Sequence, residues 1–282
     1  MPKAVQYGRN PATLKSMGTM SWRRFRAGLK WTVRRRIGLL RLREWRQRLA
    51  TGYRLPAIWL FEQREVRRLR RELAALPRAR VACIIPTYRR PAALLAAIKS
   101  VLAQEMQDFV IVVVDDGGGL PPLPTDRRLA AVSLSRNIGI AGVVRNVGIR
   151  ISNSDCVAFL DDDNTWSPRH LQVCLQALDQ GADVAYSSVR RQTPLGELVD
   201  VVSTPFDRKS LARRSYIDTS SIVGVRDKDL IFSRLPRNGP SKTGEDWEIM
   251  FRFSRGHEVV HVPVTTVNYL VNPDSYFNDW RP

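Results

Sequence analysis

The sequence contains no apolar run approaching the ~20 residues that a membrane-spanning helix needs. Its first arginine-rich stretch is not followed by the apolar segment of a signal peptide, because Lys30 and the arginines at 34–36 occupy that place. Cysteine is scarce: Cys83, Cys156 and Cys174 lie in apolar stretches, and their number and spacing exclude a disulfide framework or a cysteine-ligated zinc site. These absences predict a cytoplasmic protein with small buried cysteines in a reducing compartment.

Acidic residues are scarce in the first 80 residues, which hold 22 Lys+Arg and 4 Asp+Glu. Residues 81–282 hold 23 of each, so the net charge of +18 belongs entirely to the N-terminal segment. The composition therefore predicts two parts, a basic extension over 1–80 and a neutral domain over 81–282.

The basic extension carries apolar residues every three or four positions over 22–40 and again over 66–76, with arginines between them. This spacing predicts amphipathic helices. Three interpretations remain open: binding to an anionic membrane at the inner face of the cell membrane, packing on the chain's own domain with a solvated basic face, and nucleic-acid binding. The last is the least favoured, because no recognised nucleic-acid motif accompanies the charge.

From residue 81 onward, short apolar runs alternate with helical patterns. The predicted strands are 81–86, 109–114, 131–134, 156–160, 184–188, 217–225 and 259–264, and the predicted helices are 92–103, 139–151, 168–179 and 245–254. This alternation predicts an α/β fold with a mostly parallel sheet. Ligands of such sheets bind beyond the carboxyl ends of the strands, where Asp115-Asp116 and Asp161-Asp162-Asp163 follow two of the runs. We therefore expect both acidic clusters in one crevice.

Five motifs follow one another along this domain: IIPTYRR at 84–90, VVDDG at 113–117, RNVGI at 145–149, FLDDDNTWSP at 159–168, and GEDWE at 244–248 with Arg252 after it. In this order and spacing, residues 81–280 resemble the family 2 glycosyltransferases. The resemblance implies a Rossmann-like GT-A fold, an inverting reaction, a nucleotide-sugar donor and a divalent cation, Mn²⁺ or Mg²⁺. An extension like residues 1–80 is not part of the family pattern.

The resemblance implies a metal site at the Asp-x-Asp pair of the fourth motif, residues 159–168. Asp163 is the expected direct ligand. Asp161 is expected to contact the ribose or a metal-bound water, or to be a second metal ligand. Asp162, between them, shares either role. Carboxylates with phosphate oxygens are the usual ligands of such ions. Taken alone, the three aspartates also suit a solvated turn that caps the following helix.

The resemblance further implies that the ends of the first two strands hold the nucleotide. Pro86, Thr87 and Tyr88 end the first strand, with the aromatic ring packing on the base, and Asp116 accepts a hydrogen bond from it. An imide N–H of uracil suits a carboxylate acceptor, which favours a UDP-sugar, although the family also contains users of guanine nucleotides. Arg145 is expected either to grip the diphosphate or to form a structural salt bridge.

The last motif implies the general base. Asp246 takes the proton from the acceptor hydroxyl in the family mechanism, and a single displacement inverts the anomeric configuration. Taken alone, acids at this position also stabilise a helix N-terminus. Trp247 is expected either in the acceptor site or in the core, His170 at the surface, and His261 as a satisfied core histidine.

The domain divides by expectation into a nucleotide-sugar half, 81–188, and an acceptor and base half, 189–282, in which 238–240 form a mobile lid. The acceptor is expected to be a saccharide or a lipid-linked saccharide of the cell envelope or surface polysaccharides. Two other functions remain open. A nucleotidyltransferase would need a glycine-rich phosphate loop with a lysine, which 87–90 match poorly, and an inactive binding module would not need Asp161, Asp163 and Asp246 together.

Overall fold

The computed structural model describes residues 39–73, 77–237 and 244–271. Its helices are α1 Leu39–Thr51, α2 Leu55–Glu72, α3 Pro91–Leu102, α4 Ala141–Ile151, α5 His170–Asp179, α6 Arg208–Leu211 and α7 Glu245–Phe253. Its strands are β1 Val81–Thr87, β2 Phe109–Asp115, β3 Leu129–Ser133, β4 Cys156–Phe159, β5 Thr165–Trp166, β6 Val184–Gln192, β7 Leu198–Val202, β8 Ile222–Val225 and β9 Val259–Leu270.

All nine strands belong to one sheet in the order β3-β2-β1-β4-β8-β6-β9-β5, with β7 paired to β6. The ladders β1–β2, β1–β4, β2–β3 and β6–β9 are parallel, and they include the longest ones. The antiparallel pairs all involve β5, β7 or β8, which lie in the second half of the chain. The predicted α/β fold with a mostly parallel sheet is confirmed.

The central strands are apolar without interruption because both faces of the sheet are covered. Along β1, Ala82 and Ile84 face one core, which includes side chains of α2, α4 and α7. Val81, Cys83 and Ile85 face the other core, which includes side chains of α3 and α5. All three cysteines are buried and free, as the sequence predicted.

The helix pair α1–α2 packs on the domain through buried polar contacts as well as apolar ones. Glu62 of α2 is fully buried and receives Arg234 at 2.7 and 2.8 Å and Arg150 of α4 at 3.0 Å. On α1, buried Gln47 donates to the carbonyl of Pro236, and the guanidinium of Arg43 lies 5.7 Å from the ring centre of Trp247. Of the three interpretations of the basic segment, packing on its own domain therefore holds for the inner face of 39–72.

Several predicted boundaries were wrong. The second helical stripe, predicted over 66–76, belongs to a helix that begins at Leu55 and ends at Glu72, with Pro56 in its first turn, where proline is tolerated. The first stripe, over 22–40, lies almost wholly outside the described residues. The predicted strand 217–225 is a 3₁₀ turn at Thr219–Ser221 followed by β8.

The sequence pattern also underestimated the long strands. β6 and β9 run on to Gln192 and Leu270 as partners in one parallel ladder, and β5 and β7 were not predicted at all. The polar residues that extend these strands carry no alternation signal, because pairing with a distant strand, not local pattern, holds them in place. None of the helices in the described part of the chain is long and apolar enough to cross a membrane.

Candidate active site

The carboxyl ends of β1, β2 and β4 open into one cleft of about 560 Å³, a size typical of small-molecule sites. The structure brings every residue of the predicted site to the walls of this cleft: Pro86, Thr87, Tyr88, Asp116, Arg145, Asp161, Asp162, Asp163 and Asp246. The expectation that both acidic clusters share a crevice is confirmed.

Asp116 holds one wall of the cleft in place. Its carboxylate accepts hydrogen bonds from the backbone of Ile138 at 2.8 Å and of Gly139 at 2.9 Å, and from the Asn137 amide at 3.2 Å. Burial raises the pKa of Asp116 from its ordinary value, against the lowering by the two backbone donors. The loop therefore engages most of the acceptor capacity of this carboxylate: Oδ2 accepts two hydrogen bonds, and Oδ1 accepts one and has capacity for a second.

The glycines after Asp116 allow this arrangement. Gly117 has a φ of +72°, and a Cβ there would lie 2.5 Å from the carbonyl carbon of Arg136, so only glycine fits. A Cβ at Gly118 would lie 2.9 Å from the ring of Tyr88. The Tyr88 ring thus packs against the glycine backbone and stays 38% exposed at the cleft mouth, available for stacking.

The three aspartates after β4 have different partners. Asp162 is buried and accepts the Thr87 hydroxyl at 2.7 Å and Arg90 at 3.2 Å, so it links the ends of β1 and β4. Asp163 is more exposed and receives Arg90 at 2.7 Å. Burial, together with the charges of Asp161 and Asp162, raises the pKa of Asp163 to about 6. A group of carboxylates that oppose one another's ionisation is suited to bind additional positive charge.

Arg145 joins the acidic cluster to the helix that carries the predicted base. It is buried on α4, and its two terminal nitrogens donate to Asp161 and, at 2.7 Å, to Glu245. Of the two expectations for Arg145, this geometry provides the structural salt bridge. The remaining nitrogen, Nε, is buried without a hydrogen-bond partner.

Asp246 lies in the first turn of α7, at the floor of the cleft. Its Oδ1 accepts the backbone N–H of Trp247 at 2.6 Å. Burial, followed by the charge of Glu245, raises the pKa of Asp246 to about 7. A carboxylate with this pKa can take up a proton near neutral pH and release it again, as a general base must.

Asp218 is a further acid of the cleft that sequence reasoning missed. It precedes the 3₁₀ turn, accepts the Ser220 backbone N–H at 2.8 Å and is buried. Burial, with the charges of Asp161 and Asp246, raises the pKa of Asp218 to about 8. Its polar neighbours in sequence fell within a predicted strand, and only the crossing of β8 beside β4 brings it to the cleft.

The cleft fits a divalent cation by its donor chemistry, since hard carboxylate oxygens of Asp161 and Asp163 face the same space. Within the described ranges, the one group of three acidic or histidine ligand atoms lying within 4.8 Å of one another is Asp227, Asp229 and His257, none of which lines the cleft. The cleft itself therefore offers one or two protein ligands, the number that Mg²⁺ uses when phosphate and water supply the rest.

Two aromatic residues near these motifs belong to the core. His170, expected at the surface, is fully buried, stacks on Trp166 at 4.2 Å and meets Thr266 Oγ1 at 2.8 Å. Burial lowers its pKa to about 3, so the ring is neutral. Trp247 is buried and donates to the carbonyl of Leu211. Of its two expected places, the acceptor site and the core, Trp247 therefore occupies the core. His261 is satisfied by Ser188 at 3.2 Å, as expected.

With this geometry established, the chain can be compared with known proteins. Residues 82–216 match the family described as "Glycosyl transferase family 2". The chain is similar to the uncharacterized glycosyltransferase YwdF of Bacillus subtilis (strain 168), with 23% identity over 67% of this chain and 74% of that protein. It is also similar to the succinoglycan biosynthesis protein ExoW of Rhizobium meliloti (strain 1021), with 33% identity over 39% of this chain and 38% of that protein.

Among solved structures, S. aureus TarS 1-349 in complex with UDP-GlcNAc aligns with a TM-score of 0.54 and 17% identity, over 72% of this chain and 62% of that chain. This likeness shows the fold, and it confirms the expected GT-A architecture. The chain spans less than two thirds of the length of the staphylococcal chain and of ExoW.

Proposed function

We propose a specific reaction from the match of residues 82–216 to the family 2 glycosyltransferases. The enzyme transfers a sugar from a nucleotide-sugar donor to a hydroxyl of a saccharide or lipid-linked acceptor, with inversion at the anomeric carbon. The observation that carries the proposal is the meeting of Asp246 and the Asp161–Asp163 cluster in one cleft. A base on one side and charge-binding groups on the other are what a single displacement requires.

The donor would lie along the ends of β1, β2 and β4. Tyr88 offers an exposed ring for the base at the cleft mouth, and Asp116 retains acceptor capacity for a base N–H. Asp161 and Asp163 would hold a divalent cation, with Asp162 and Thr87 fixing the strand ends that carry them. When bound, that cation neutralises negative charge developing on the diphosphate as the sugar leaves.

Asp246 would act on the acceptor. Its carboxylate removes the hydroxyl proton while the acceptor oxygen forms a bond to the anomeric carbon, and the bond from that carbon to the diphosphate breaks. The nucleoside diphosphate leaves with the electron pair of that bond. Arg145 positions both ends of the reaction, because it donates to Asp161 and to Glu245, the neighbour of Asp246.

The relatives support the proposed substrate class. ExoW is named for succinoglycan biosynthesis and TarS was solved with UDP-GlcNAc, which supports a UDP-hexose or UDP-N-acetylhexosamine donor and a role in polysaccharide synthesis. Mn²⁺ or Mg²⁺ is the proposed cation. A carboxylate acceptor at Asp116 suits the imide N–H of uracil, and the UDP-GlcNAc complex of TarS makes UDP-sugars the first donors to test.

The test is nucleoside diphosphate release from a panel of UDP-, GDP- and dTDP-sugars with Mn²⁺ or Mg²⁺. Slow hydrolysis of the donor without acceptor is expected from one nucleotide class, lost in Asp163→Ala and unaffected by Glu197→Gln, an exposed acid of the β6–β7 turn. Release of pyrophosphate from a nucleoside triphosphate incubated with a sugar 1-phosphate, without nucleoside diphosphate release from the panel, would instead identify a nucleotidyltransferase. Absence of both release and metal-dependent nucleotide binding would refute the enzyme assignment.

A further inference from the structure

The helix pair α1–α2 turns large apolar side chains toward solvent. Trp45, Leu49 and Tyr53 follow one another at intervals of four, and Trp59 and Leu60 lie in the first turns of α2. Their exposed fractions run from 42% for Leu60 to 81% for Tyr53. We call these five residues the outer stripe. An exposed apolar surface of this kind on a folded domain marks a contact site.

An arginine cluster adjoins the outer stripe at its N-terminal end. Arg41, one helical turn before Trp45, and Arg208 of α6 both lie over the ring of Phe251, at 5.9 and 4.5 Å. Arg255 is the third member of the cluster. Burial lowers the pKa of Arg208 most, and the nearby charges of Arg255 and Arg41 lower it further. Three cations that repel one another in this way are stabilised by an anion between them.

No carboxylate within the described residues neutralises this cluster. None of its three arginines forms a salt bridge in that part of the chain, and Nε of Arg208 is buried without a hydrogen-bond partner. The backbone carbonyl of Phe251, at 3.5 Å from Arg208, is a weak acceptor contact. The cluster therefore retains its positive charge for a ligand from outside.

The acids of the helix pair are all engaged elsewhere. Glu44 pairs with Arg237, Glu62 with Arg150 and Arg234, and Glu65 and Glu72 with Arg68. The exposed arginines of the pair form no salt bridge with any residue that the structure describes: Arg46, Arg48, Arg54, Arg64, Arg67 and Arg71. The solvent side of the helix pair thus combines apolar side chains with uncompensated positive charge.

We propose that the outer stripe and the arginine cluster form a docking surface for an anionic lipid bilayer. Tryptophan, tyrosine and leucine insert at the level of the headgroups, and arginines around them bind lipid phosphates. Charge complementarity selects the partner: a neutral apolar partner would leave nine arginines unpaired, whereas an anionic bilayer engages both components at once. The docking surface does not depend on which sugar or acceptor the cleft takes.

Docking would also bring the cleft close to the membrane. α1 lies along α7, with Arg43 over Trp247 and Arg41 over Phe251, and Asp246 lies in the first turn of the same α7. Only one layer of helix therefore separates the outer stripe from the helix that carries the proposed base. A lipid-linked acceptor would need to travel only a short distance to reach the cleft.

The experiment uses the full chain and vesicles made of equal parts phosphatidylcholine and phosphatidylglycerol, with pure phosphatidylcholine as the comparison. We expect sedimentation with the anionic vesicles alone. The triple variant Trp45→Ser, Leu49→Ser, Trp59→Ser should bind at least about tenfold more weakly. The matched control changes three exposed apolar residues of the β6–β7 hairpin to serine: Leu195, Leu198 and Val199. This control variant should bind like the unaltered chain.

A second pair of variants tests the charge. Arg41→Gln with Arg208→Gln should weaken binding, whereas Arg127→Gln with Arg169→Gln, exposed arginines on other elements, should leave it unchanged. Equal loss in both pairs would mean that net charge alone drives binding and would overturn the proposed surface.

A site-specific readout separates this surface from the rest of the basic N-terminal segment. An environment-sensitive fluorophore on Leu49→Cys should shift to the blue with anionic vesicles, and one on Leu198→Cys should not; the native cysteines are buried. Sedimentation without a shift at position 49 would locate binding elsewhere and overturn the proposal. Absence of sedimentation, or a shift that follows protein concentration without vesicles, would also overturn it, the latter in favour of self-association.

Discussion

Asp246 and Asp218 show how acidic neighbours set protonation within the cleft. Both are surrounded by protein and face other carboxylates, so burial and like charge raise the pKa of Asp246 to about 7 and of Asp218 to about 8. Burial and the charges of Asp161 and Asp162 likewise raise the pKa of Asp163 to about 6. Burial first, and neighbouring charge second, thus make these three acids harder to ionise than ordinary aspartates.

We predict that the activity of the enzyme rises with pH through the pKa of Asp246. A general base acts when deprotonated, so kcat/KM should increase toward and level off above about pH 7. Asp246→Asn should lower kcat by roughly 10²–10⁴-fold with donor binding retained, measured by isothermal titration with UDP. A variant that keeps the same pH profile would assign the base elsewhere.

Asp218 leads to a prediction about stability. The pKa of Asp218 is about 8 in the folded protein against an ordinary value of 3.8. Its contribution to the free energy of unfolding is therefore fully present below about pH 4 and is lost as pH rises toward 8. The Asp218→Asn variant keeps an oxygen that accepts the Ser220 N–H, and it removes the loss of stability that accompanies ionisation of Asp218. The Tm of the variant relative to the unaltered protein should therefore increase from pH 4 to 8 and level off above.

The matched control has the opposite sign. Asp207 is exposed and accepts the Ser210 hydroxyl at 2.6 Å and the N–H groups of Lys209 and Ser210, all of which lower its pKa. Its contribution to stability is therefore present at neutral pH and lost on acidification. Asp207→Asn should lower Tm at neutral pH, with the difference shrinking in acid. If both variants respond to pH in the same direction, the assigned pKa shifts are wrong.

At the scale of elements, α2 is attached to the domain by one buried carboxylate. Glu62 is fully buried between Arg234 and Arg150, whose side chains are 26% and 31% exposed. Its neighbours Phe61, Val66 and Leu69 enter the core that covers one face of the sheet. The helix is thus part of the structure that supports α4 and its Arg145.

We predict that Glu62→Gln lowers the free energy of unfolding by about 2–3 kcal/mol, because two arginines lose their counter-charge while still reaching some solvent. Urea unfolding at pH 7 is the measurement. Glu72→Gln is the control on the same helix: its side chain is 55% exposed and pairs only with Arg68, so the loss should stay below about 0.5 kcal/mol. Equal losses would contradict the attachment through Glu62.

Much of the element order could be predicted from sequence, and the reasons are local. The runs that became β1, β2 and β4 are mostly apolar, and the acids that end β2 and follow β4 meet because parallel strands end at the same edge of the sheet. Asp218, β5, β7 and the far ends of β6 and β9 could not be predicted, because crossings between distant strands place them. His170 was assigned to the surface for the same reason, since Trp166 and Thr266 bury it from other elements.

For the whole molecule, the boundary at residue 80 marks a change in composition more than a division of the fold. α1 and α2 contact α4, α7 and the segment 234–237, and so reach both proposed halves, 81–188 and 189–282. The net charge of the extension and its structural attachment are therefore separate properties. Within residues 39–72, the exposed arginines face solvent and the buried side chains face the core.

We predict that chains beginning at residue 39 and at residue 74 differ sharply. The first keeps every contact described for the helix pair, and the second loses the buried Leu40, Ile58, Phe61 and Leu69 and uncovers the partners of Glu62. Thermal melts should show a cooperative transition for the first and aggregation or a non-cooperative melt for the second. A cooperative melt of similar Tm from residue 74 would make the helix pair dispensable.

The contacts that attach the helix pair close over very long stretches of chain. Glu62 and Arg234 are 172 residues apart, and Gln47 and Pro236 are 189 apart. At a synthesis rate of ~5–20 residues per second, the partners leave the ribosome roughly 10–40 s after the helices do. During translation, both the inner apolar face and the outer stripe are therefore uncovered together. The helix pair, although made early, is among the last parts of the fold to be completed.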